Sequence, residues 1–232
     1  MKHPALHTLR TALLLTALSG SAHAALVNGD FSSGLSGWSS LGDVAALHGA
    51  TLSTASLAVD DAPAAAGAFN TSGVAAAAVG VPGGVEEFAG LGLGALDPDP
   101  ANGIWAFEGS VLKQSLTVNA GDMLSFDWQF ASQEDPLSGM NDYAFVVLDG
   151  VLTRLGDVLG GPSGGHFSTA FGTGGAMQLA FGIVDVNDYV GTSTLVLSNV
   201  RIDAASAVPA PGTLALGLGG LALLRIARRR TA

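Results

Sequence analysis

The stretch Leu124-Ser-Phe-Asp-Trp-Gln-Phe130 carries an apolar side chain at every second position. A period of two is that of a β-strand with one buried face. Residues 177–183 repeat the alternation, and residues 143–148 and 193–198 are rich in the residue types that favour strands. Glycine-rich turn signals separate these stretches, and residues 25–208 contain no sustained i, i+3, i+4 apolar stripe. The sequence therefore predicts an all-β body, an antiparallel β-sandwich of the jelly-roll type.

Two segments interrupt this pattern of strands. Residues 60–103 are rich in Ala, Gly and Pro, and we expect irregular structure there. The tripeptide Glu108-Gly109-Ser110 has the composition of a turn, which predicts a break in the chain between two strands.

The charges of the chain are sorted by position. Of its 232 residues, 19 are acidic and nine are basic, and every acidic residue falls between Asp30 and Asp203. Phosphate contacts need Lys and Arg, so such an acidic body excludes nucleic acid as a partner. The chain contains no cysteine, which excludes disulfides, thiolate zinc sites, iron–sulfur clusters and a cysteine nucleophile.

The first 24 residues have the order of a secretory signal peptide. Lys2 and Arg10 supply a positive region, residues 11–18 are a short apolar run, and Ala22 and Ala24 form an A-x-A cleavage site. We expect an apolar signal helix that directs the chain to the Sec export machinery and is cleaved after Ala24. Residues 25–207 are then the exported ectodomain.

Residues 208–232 have the composition of a short membrane anchor. An extended strip precedes an apolar run over residues 214–224, and the strip is made of Val208, Pro209, Ala210, Pro211 and Gly212. The run is about 17 Å long as a helix, so the predicted transmembrane helix is marginal for a bilayer core of about 30 Å. It ends in a basic stop formed by Arg225, Arg228, Arg229 and Arg230. The positive-inside rule keeps these arginines cytoplasmic and the ectodomain outside the inner membrane. From the residues alone, a permanent anchor and a tail removed by processing are equally good interpretations.

This tail resembles the PEP-CTERM sorting signal in its proline motif, its short Gly- and Leu-rich span and its terminal arginines. The resemblance implies a secreted protein of biofilm-forming and exopolysaccharide-forming Gram-negative bacteria. It also implies that an exosortase recognises the Pro-Glu-Pro motif, removes the tail and passes the protein to the cell surface. The chain departs from the family at Ala210, where the family has Glu.

The ectodomain resembles carbohydrate-binding jelly rolls. The segments that carry the resemblance are Leu26-Val-Asn-Gly-Asp-Phe31, Gly34-Leu-Ser-Gly-Trp38, the strand over residues 114–118 and the last strand over residues 195–202. Such a module needs an exposed aromatic platform for sugars, and the candidates are Trp38, Trp105, Tyr143 and Tyr189. Trp38 is equally explained as a core anchor, so Trp105, Tyr143 and Tyr189 are preferred. Trp128 alternates into the predicted core and is a poor candidate.

Calcium is the candidate cofactor of the ectodomain. Ca²⁺ takes six to eight oxygen ligands, often from Asp and Asn in loops. Asp135, Asn141 and Asp142, with Glu134, flank one predicted loop and are the preferred ligand set. The loop over residues 97–103 is a weaker alternative, and the group of Asn28, Asp30 and Asp203 could also converge. The preferred interpretation is nevertheless a plain acidic surface that binds no metal, because net charge first affects solubility.

The sequence carries no convincing catalytic set. Gly161-Pro-Ser-Gly-Gly165 matches the G-x-S-x-G pattern, but it lies among β-stretches and lacks the helix that a nucleophile elbow needs. Only His48 and His166 remain in the ectodomain as bases. We therefore expect a non-enzymatic surface or matrix protein, associated with exopolysaccharide. The first alternative is a carbohydrate-binding module with calcium as its candidate cofactor, and the second is a secreted hydrolase.

Overall fold

Strands dominate the structure, a computed structural model that describes residues 26–56 and 70–205. Eleven strands occur in this part of the chain: β1 Ser39–Leu41, β2 Asp43–Ala46, β3 Ala50–Ser53, β4 Ala77–Ala78, β5 Ala106–Val118, β6 Met123–Ser132, β7 Tyr143–Leu148, β8 Val151–Asp157, β9 Ser163–Ala170, β10 Gly175–Val186 and β11 Ser193–Asp203. The helix α1 spans Val85–Ala89, and a 3₁₀ turn spans Pro100–Asn102.

The strands form two antiparallel sheets that pack as a sandwich. The six-stranded sheet has the order β1-β5-β10-β7-β8, with β4 added beside β5, and the five-stranded sheet has the order β2-β3-β11-β6-β9. Strands 5, 6, 10 and 11 are the longest, and they supply the central pairs β5–β10 and β6–β11. The prediction of an all-β antiparallel sandwich is confirmed for the described residues.

The alternating stretch that predicts β6 does bury one face. Leu124, Phe126 and Phe130 are in the core between the sheets, and the ring of Phe126 meets that of Phe181 edge-on at 4.8 Å. Apolar residues at every second position of β10 and β11 complete this core. Burial of these faces is the main force that holds the sheets together.

A second core covers the outer face of the six-stranded sheet. Val85, Ala89 and Leu96 pack there against residues of β5, β7 and β10 such as Phe145 and Val184. Over residues 70–103, the described part of the stretch expected to be irregular, regular structure is limited to β4, α1 and the 3₁₀ turn. Because this covering buries β10 on both faces, its last eight residues show no exposed side chain.

The turn predicted at Glu108-Gly109-Ser110 is wrong. These residues lie inside β5, where they pair with Asp185, Val184 and Ile183 of β10. Position 109 requires glycine because the backbone of β10 comes very close to it. A Cβ at this position would lie 2.1 Å from the carbonyl oxygen of Ile183.

The chain crosses from one sheet to the other at Gly42. Its φ of +83° suits glycine, and a Cβ there would lie 2.7 Å from the carbonyl oxygen of Gly109. The Ser110 hydroxyl accepts from the Asp43 N–H at 2.8 Å and donates to the Ser53 carbonyl at 2.6 Å, so it ties the two sheets together at the crossing.

The predicted signal peptide (1–24) and sorting segment (208–232) lie outside the described residues, so the domain boundaries stay predictions. Over residues 26–56 and 70–205, no helix has the length and hydropathy needed to cross a bilayer.

Candidate functional site

A groove of about 920 Å³ crosses the outer face of the five-stranded sheet. Its floor is formed by side chains of β6 and β11 that point away from the core. These are cross-strand pairs, with Asp127 opposite Ser198, Gln129 opposite Val196 and Ala131 opposite Thr194. The floor is therefore a ladder of hydroxyl, amide and carboxylate groups on a rigid pair of strands.

The two sides of the groove come from the turn between β2 and β3 and from β9. Leu47 and His48 belong to that turn, Pro162 precedes β9, and residues 163–165 are the first residues of β9. In the turn, His48 and Gly49 have positive φ angles, and a Cβ at Gly49 would lie 2.3 Å from the carbonyl oxygen of Leu197. Because β9 is an edge strand, the groove runs from this turn across β11 and β6 to one edge of the sheet.

Trp128 also lines the groove, although the alternation of β6 points its indole toward the core. It is partly exposed because its neighbour on β9 is Gly165, which carries no side chain to cover it. Sequence reasoning assigned Trp128 to the core alone. The paired glycines Gly164 and Gly165 are the signal that could have indicated its partial exposure.

Asp127 is the charged centre of the groove floor. One of its oxygens lies 2.7 Å from His166 Nδ1, and the other accepts a hydrogen bond of 2.7 Å from the Asn199 side-chain amide. Asn199 reaches it because the β6–β11 register shifts between Ser198 and Arg201, where Asn199 has a φ of +54°. The pKa of Asp127 is held below its ordinary value, first by the Asn199 hydrogen bond and then by His166. The carboxylate is thus a fixed acceptor.

The G-x-S-x-G stretch does not form a nucleophile–base pair with His166. Ser163 and His166 both lie in β9, and an odd spacing along a strand places their side chains on opposite faces. Ser163 Oγ is buried toward Gly156 and has no hydrogen-bond partner, while His166 contacts Asp127 on the outer face.

Two of the three predicted aromatic residues are exposed and lie on adjoining segments. Trp105 is 45% exposed and Tyr189 is 48% exposed. The backbone N–H of Trp105 donates to the Asn187 side-chain oxygen at 2.8 Å, and the backbone N–H of Asn187 donates to the Trp105 carbonyl at 3.0 Å. The centre of the Tyr189 ring lies 5.2 Å from the centre of the Phe107 ring. They form an aromatic patch beside the loop of residues 187–192.

The third, Tyr143, is not a surface platform. It is 1% exposed, its hydroxyl donates to the Leu96 carbonyl, and the Arg154 guanidinium lies 3.8 Å from its ring centre. The segment that carries Leu96 covers the outer face of β7, and this covering could not be predicted from the alternation alone. Burial raises the pKa of Tyr143 to about 12.

The structure does not bring the preferred metal ligands to one point. Asp135 accepts from the Leu137 N–H at 2.9 Å and Asn141 from the Leu159 N–H at 3.0 Å, in separate turns. Asp142 is fully buried, and it accepts from the Val186 N–H at 2.9 Å and the Ser193 hydroxyl at 2.6 Å. Within the described ranges, no group of three or more His, Asp or Glu side chains is already arranged to hold a metal ion.

The alternative ligand groups are likewise engaged locally. Asp97 accepts from the Ala106 N–H at 3.0 Å, and Asp99 accepts from the Asn102 amide at 2.7 Å. Asp30 accepts from Ser32, and Asp203 pairs with Arg201 at 3.2 Å.

Other carboxylates than the predicted set lie around Asp142. Among them, the sequence analysis had named only Glu134 as a candidate ligand. We call Glu134, Asp142, Asp185 and Asp188 the acidic cluster. Burial first, and then the charge of Asp188, raises the pKa of Glu134 to about 7. Burial raises the pKa of Asp142 to about 7. For Asp185, burial raises the pKa first, followed by the charge of Asp142 and the close carboxyl group of Asp188. The sequence feature that could have indicated a buried carboxylate is the single Asp in the apolar run Ile183-Val-Asp-Val186.

Comparison with protein-family models finds no match, and no curated protein matches the chain. A solved structure that is similar is the N-terminal cellulose-binding domain of the β-1,4-glucanase C of Cellulomonas fimi, with 16% identity and a TM-score of 0.24. The match covers 62% of this chain and 91% of that one. A similarity at this level does not establish a common ligand.

Proposed function

We propose that the chain is a non-enzymatic exported protein whose sandwich binds a neutral polysaccharide along the groove of the five-stranded sheet. The groove of about 920 Å³ is the observation that carries this proposal. Its floor offers a carboxylate and an amide from β6, with hydroxyl groups from β11. These groups match the hydroxyls of a sugar chain, which both donate and accept hydrogen bonds.

The shape of the groove supports a polymer as the ligand. Because it runs across β11 and β6 to the edge strand β9, a polymer chain lying in it can leave the sheet at that edge.

The charge of the groove and of the ectodomain supports a neutral ligand. Asp127 keeps a negative charge at the centre of the floor, and residues 25–208 carry far more acidic than basic side chains. Like charges across an interface oppose binding, so polyuronates and other acidic polymers are poor ligands.

Affinity electrophoresis of the full-length chain in a mild detergent tests this proposal. The gels contain a neutral glucan, a xylan, a galactomannan or a polyuronate. We expect retardation by at least one neutral polymer, and we expect Gln129→Ala combined with Asp127→Ala to abolish it. Ser168→Ala on the exposed part of β9 is the matched control. Retardation by none of the neutral polymers contradicts the proposal. Retardation that survives the groove variant but is lost in Trp105→Ala with Tyr189→Ala places the ligand on the aromatic patch instead.

Export and sorting are part of the proposal. The signal peptide, the proline strip and the arginine stop support a path through the Sec machinery to the inner membrane, then tail removal by an exosortase and release to the cell surface or the extracellular polysaccharide. Mass spectrometry of the protein from the surface fraction of its native host tests this path. Species that begin at residue 25 and lack the arginines support it, whereas full-length chain in the cytosol contradicts it.

A further inference from the structure

The acidic cluster gathers four carboxylates from separate parts of the chain at one end of the sandwich. Asp142 precedes β7 and Asp185 is near the end of β10, while Glu134 follows β6 and Asp188 lies in the loop before β11. Hydrogen bonds hold this end together, since the Asp142 side chain joins β10 through Val186 and β11 through Ser193. Two carboxylates are thus fixed by strands and two are carried by loops.

Asp185 is the strongest sign that this end binds a ligand. It is 1% exposed, and its Oδ1 has no hydrogen-bond partner. In the β7–β10 pair Val184 lies opposite Tyr143, which places Asp185 beside Asp142, and the carboxyl group of Asp188 is close enough to share a proton with that of Asp185. Asp188 Oδ1 is likewise buried and without a partner. A buried carboxylate without a donor or a counter-charge costs several kcal/mol, so natural proteins rarely leave one uncompensated.

Within residues 26–56 and 70–205, no basic side chain forms an ion pair with the cluster. In the described part of the chain, the ion pairs are His166 with Asp127 on the groove floor and Arg201 with Asp203 on β11. The neighbouring charges that act on Asp142 and Asp185 are those of other carboxylates. The cluster therefore combines buried acceptor oxygens with an unmet need for positive charge.

We propose that the acidic cluster binds a divalent cation, with Ca²⁺ as the best match to its ligands. Carboxylate oxygens are the hard donors that Ca²⁺ prefers, and loop carbonyls and water complete its six to eight ligands. A divalent ion compensates two carboxylates at once, which a single shared proton does not. This site is separate from the polysaccharide groove, so the test of Ca²⁺ binding is independent of the test of the proposed function.

Binding requires the loop carboxylates to turn toward the fixed ones. Glu134 and Asp188 are half-buried, and they must approach Asp142 and Asp185, because no three of the side chains yet surround a common point. Glu134 already lies against the loop, since a Cβ at Gly191 would be 1.7 Å from its Oε1. The ion would thus join the end of β6 to the loop of residues 187–192, and so fix the Tyr189 side of the aromatic patch.

Calorimetry and thermal unfolding of the full-length chain test this site. The protein is freed of metal with EDTA and dialysed at about pH 8, above the raised pKa of about 7 of Glu134 and Asp142. It is then titrated with CaCl₂ to about 10 mM, ten times the weakest typical Kd of extracellular modules. We expect saturable binding of one Ca²⁺ and a rise in Tm with Ca²⁺ concentration. Mg²⁺ should bind more weakly, because it demands stricter octahedral geometry.

Three variants locate the ion. Asp188→Asn, at a half-buried loop position, should weaken Ca²⁺ binding at least tenfold. Asp185→Asn should abolish the Ca²⁺ response while raising the Tm of the metal-free protein, because it removes a buried carboxyl group that needs a proton or a cation. Asp149→Asn, the matched control in the exposed turn between β7 and β8, should bind Ca²⁺ like the wild type.

Two results overturn the proposal. The first is no heat and no Tm shift with Ca²⁺ at about pH 8, with stabilisation on acidification alone, which means that the cluster holds only protons. The second is an equal loss of binding in Asp188→Asn and Asp149→Asn, which means that Ca²⁺ associates diffusely with the acidic surface.

Discussion

Gly182 offers a sharp test of the strand register that positions both sites. It lies opposite Phe145 in the β7–β10 pair, and the Phe145 ring covers it. A Cβ at Gly182 would lie 2.2 Å from Cζ of that ring and 2.8 Å from its two Cε atoms. Carbon atoms in ordinary contact are about 3.5–4.0 Å apart, so Gly182→Ala must displace the ring by more than 1 Å.

Phe145 has little room to move. It is fully buried in the cluster that contains Val85 and Leu96, so its displacement pushes on the segment that covers the six-stranded sheet. Overpacking of this kind costs about 1–3 kcal/mol, and we expect Gly182→Ala to lower the free energy of unfolding by that amount. Urea unfolding of the full-length chain, followed by tryptophan fluorescence, measures the loss.

A double-mutant cycle shows whether the loss comes from this one contact. Phe145→Leu removes the ring atoms that meet the new methyl group, so Gly182→Ala should cost at least about 1 kcal/mol less in its presence. Gly172→Ala is the matched control, because a Cβ there would meet nothing within 4 Å, and it should cost less than about 0.5 kcal/mol. If Gly182→Ala unfolds at the same urea concentration as the wild type, the register described for β7 and β10 is wrong.

The remaining predictions concern titration and the groove. Metal-free protein should become less stable as the pH rises from about 4 to about 7, because the raised pKa values of Asp142 and Glu134 mean that the folded state holds more protons than the unfolded state over that range. Urea midpoints at several pH values measure this, and a midpoint that rises with pH contradicts it. Asn199→Ala should raise the pKa of Asp127 toward its ordinary value, because it removes the hydrogen bond that lowers the pKa most. Carboxyl carbon NMR shifts follow that titration, and an unchanged pKa refutes the assigned cause. Gln129→Ala alone should weaken polysaccharide retardation, because it removes the amide from the groove floor, whereas equal retardation excludes that amide as a contact.

Much of the sandwich follows from the sequence because one-sided burial leaves a period of two. The strand β6 is the clear case, since its apolar residues face the core and its polar residues form the groove floor. The same reasoning fails where both faces are buried. In β7, every residue from Tyr143 to Val147 is buried, so no alternation indicates which face Tyr143 occupies. The covering segment has no periodicity of its own, and only the three-dimensional structure shows what it covers.

The sites were less predictable than the fold. Sequence proximity suggested Asp135 and Asn141 as partners of Asp142, but each is used by the backbone of its own turn. The carboxylate of Asp185 comes close to Asp142 because β10 pairs with β7, and that register is a long-range property. The groove likewise depends on pairing, because its floor needs the outward side chains of β6 beside those of β11.

Amide NMR spectra of the full-length chain, recorded during titration with oligosaccharides of the polymer that retards it most, test the binding claim directly. We expect the shifts to move with ligand at residues on the outer face of β6 and β11, chiefly Gln129, Val196 and Ser198, and in the turn at His48. Spectra that stay unchanged with every neutral oligosaccharide, or changes confined to the loop of residues 187–192, would contradict binding in the groove.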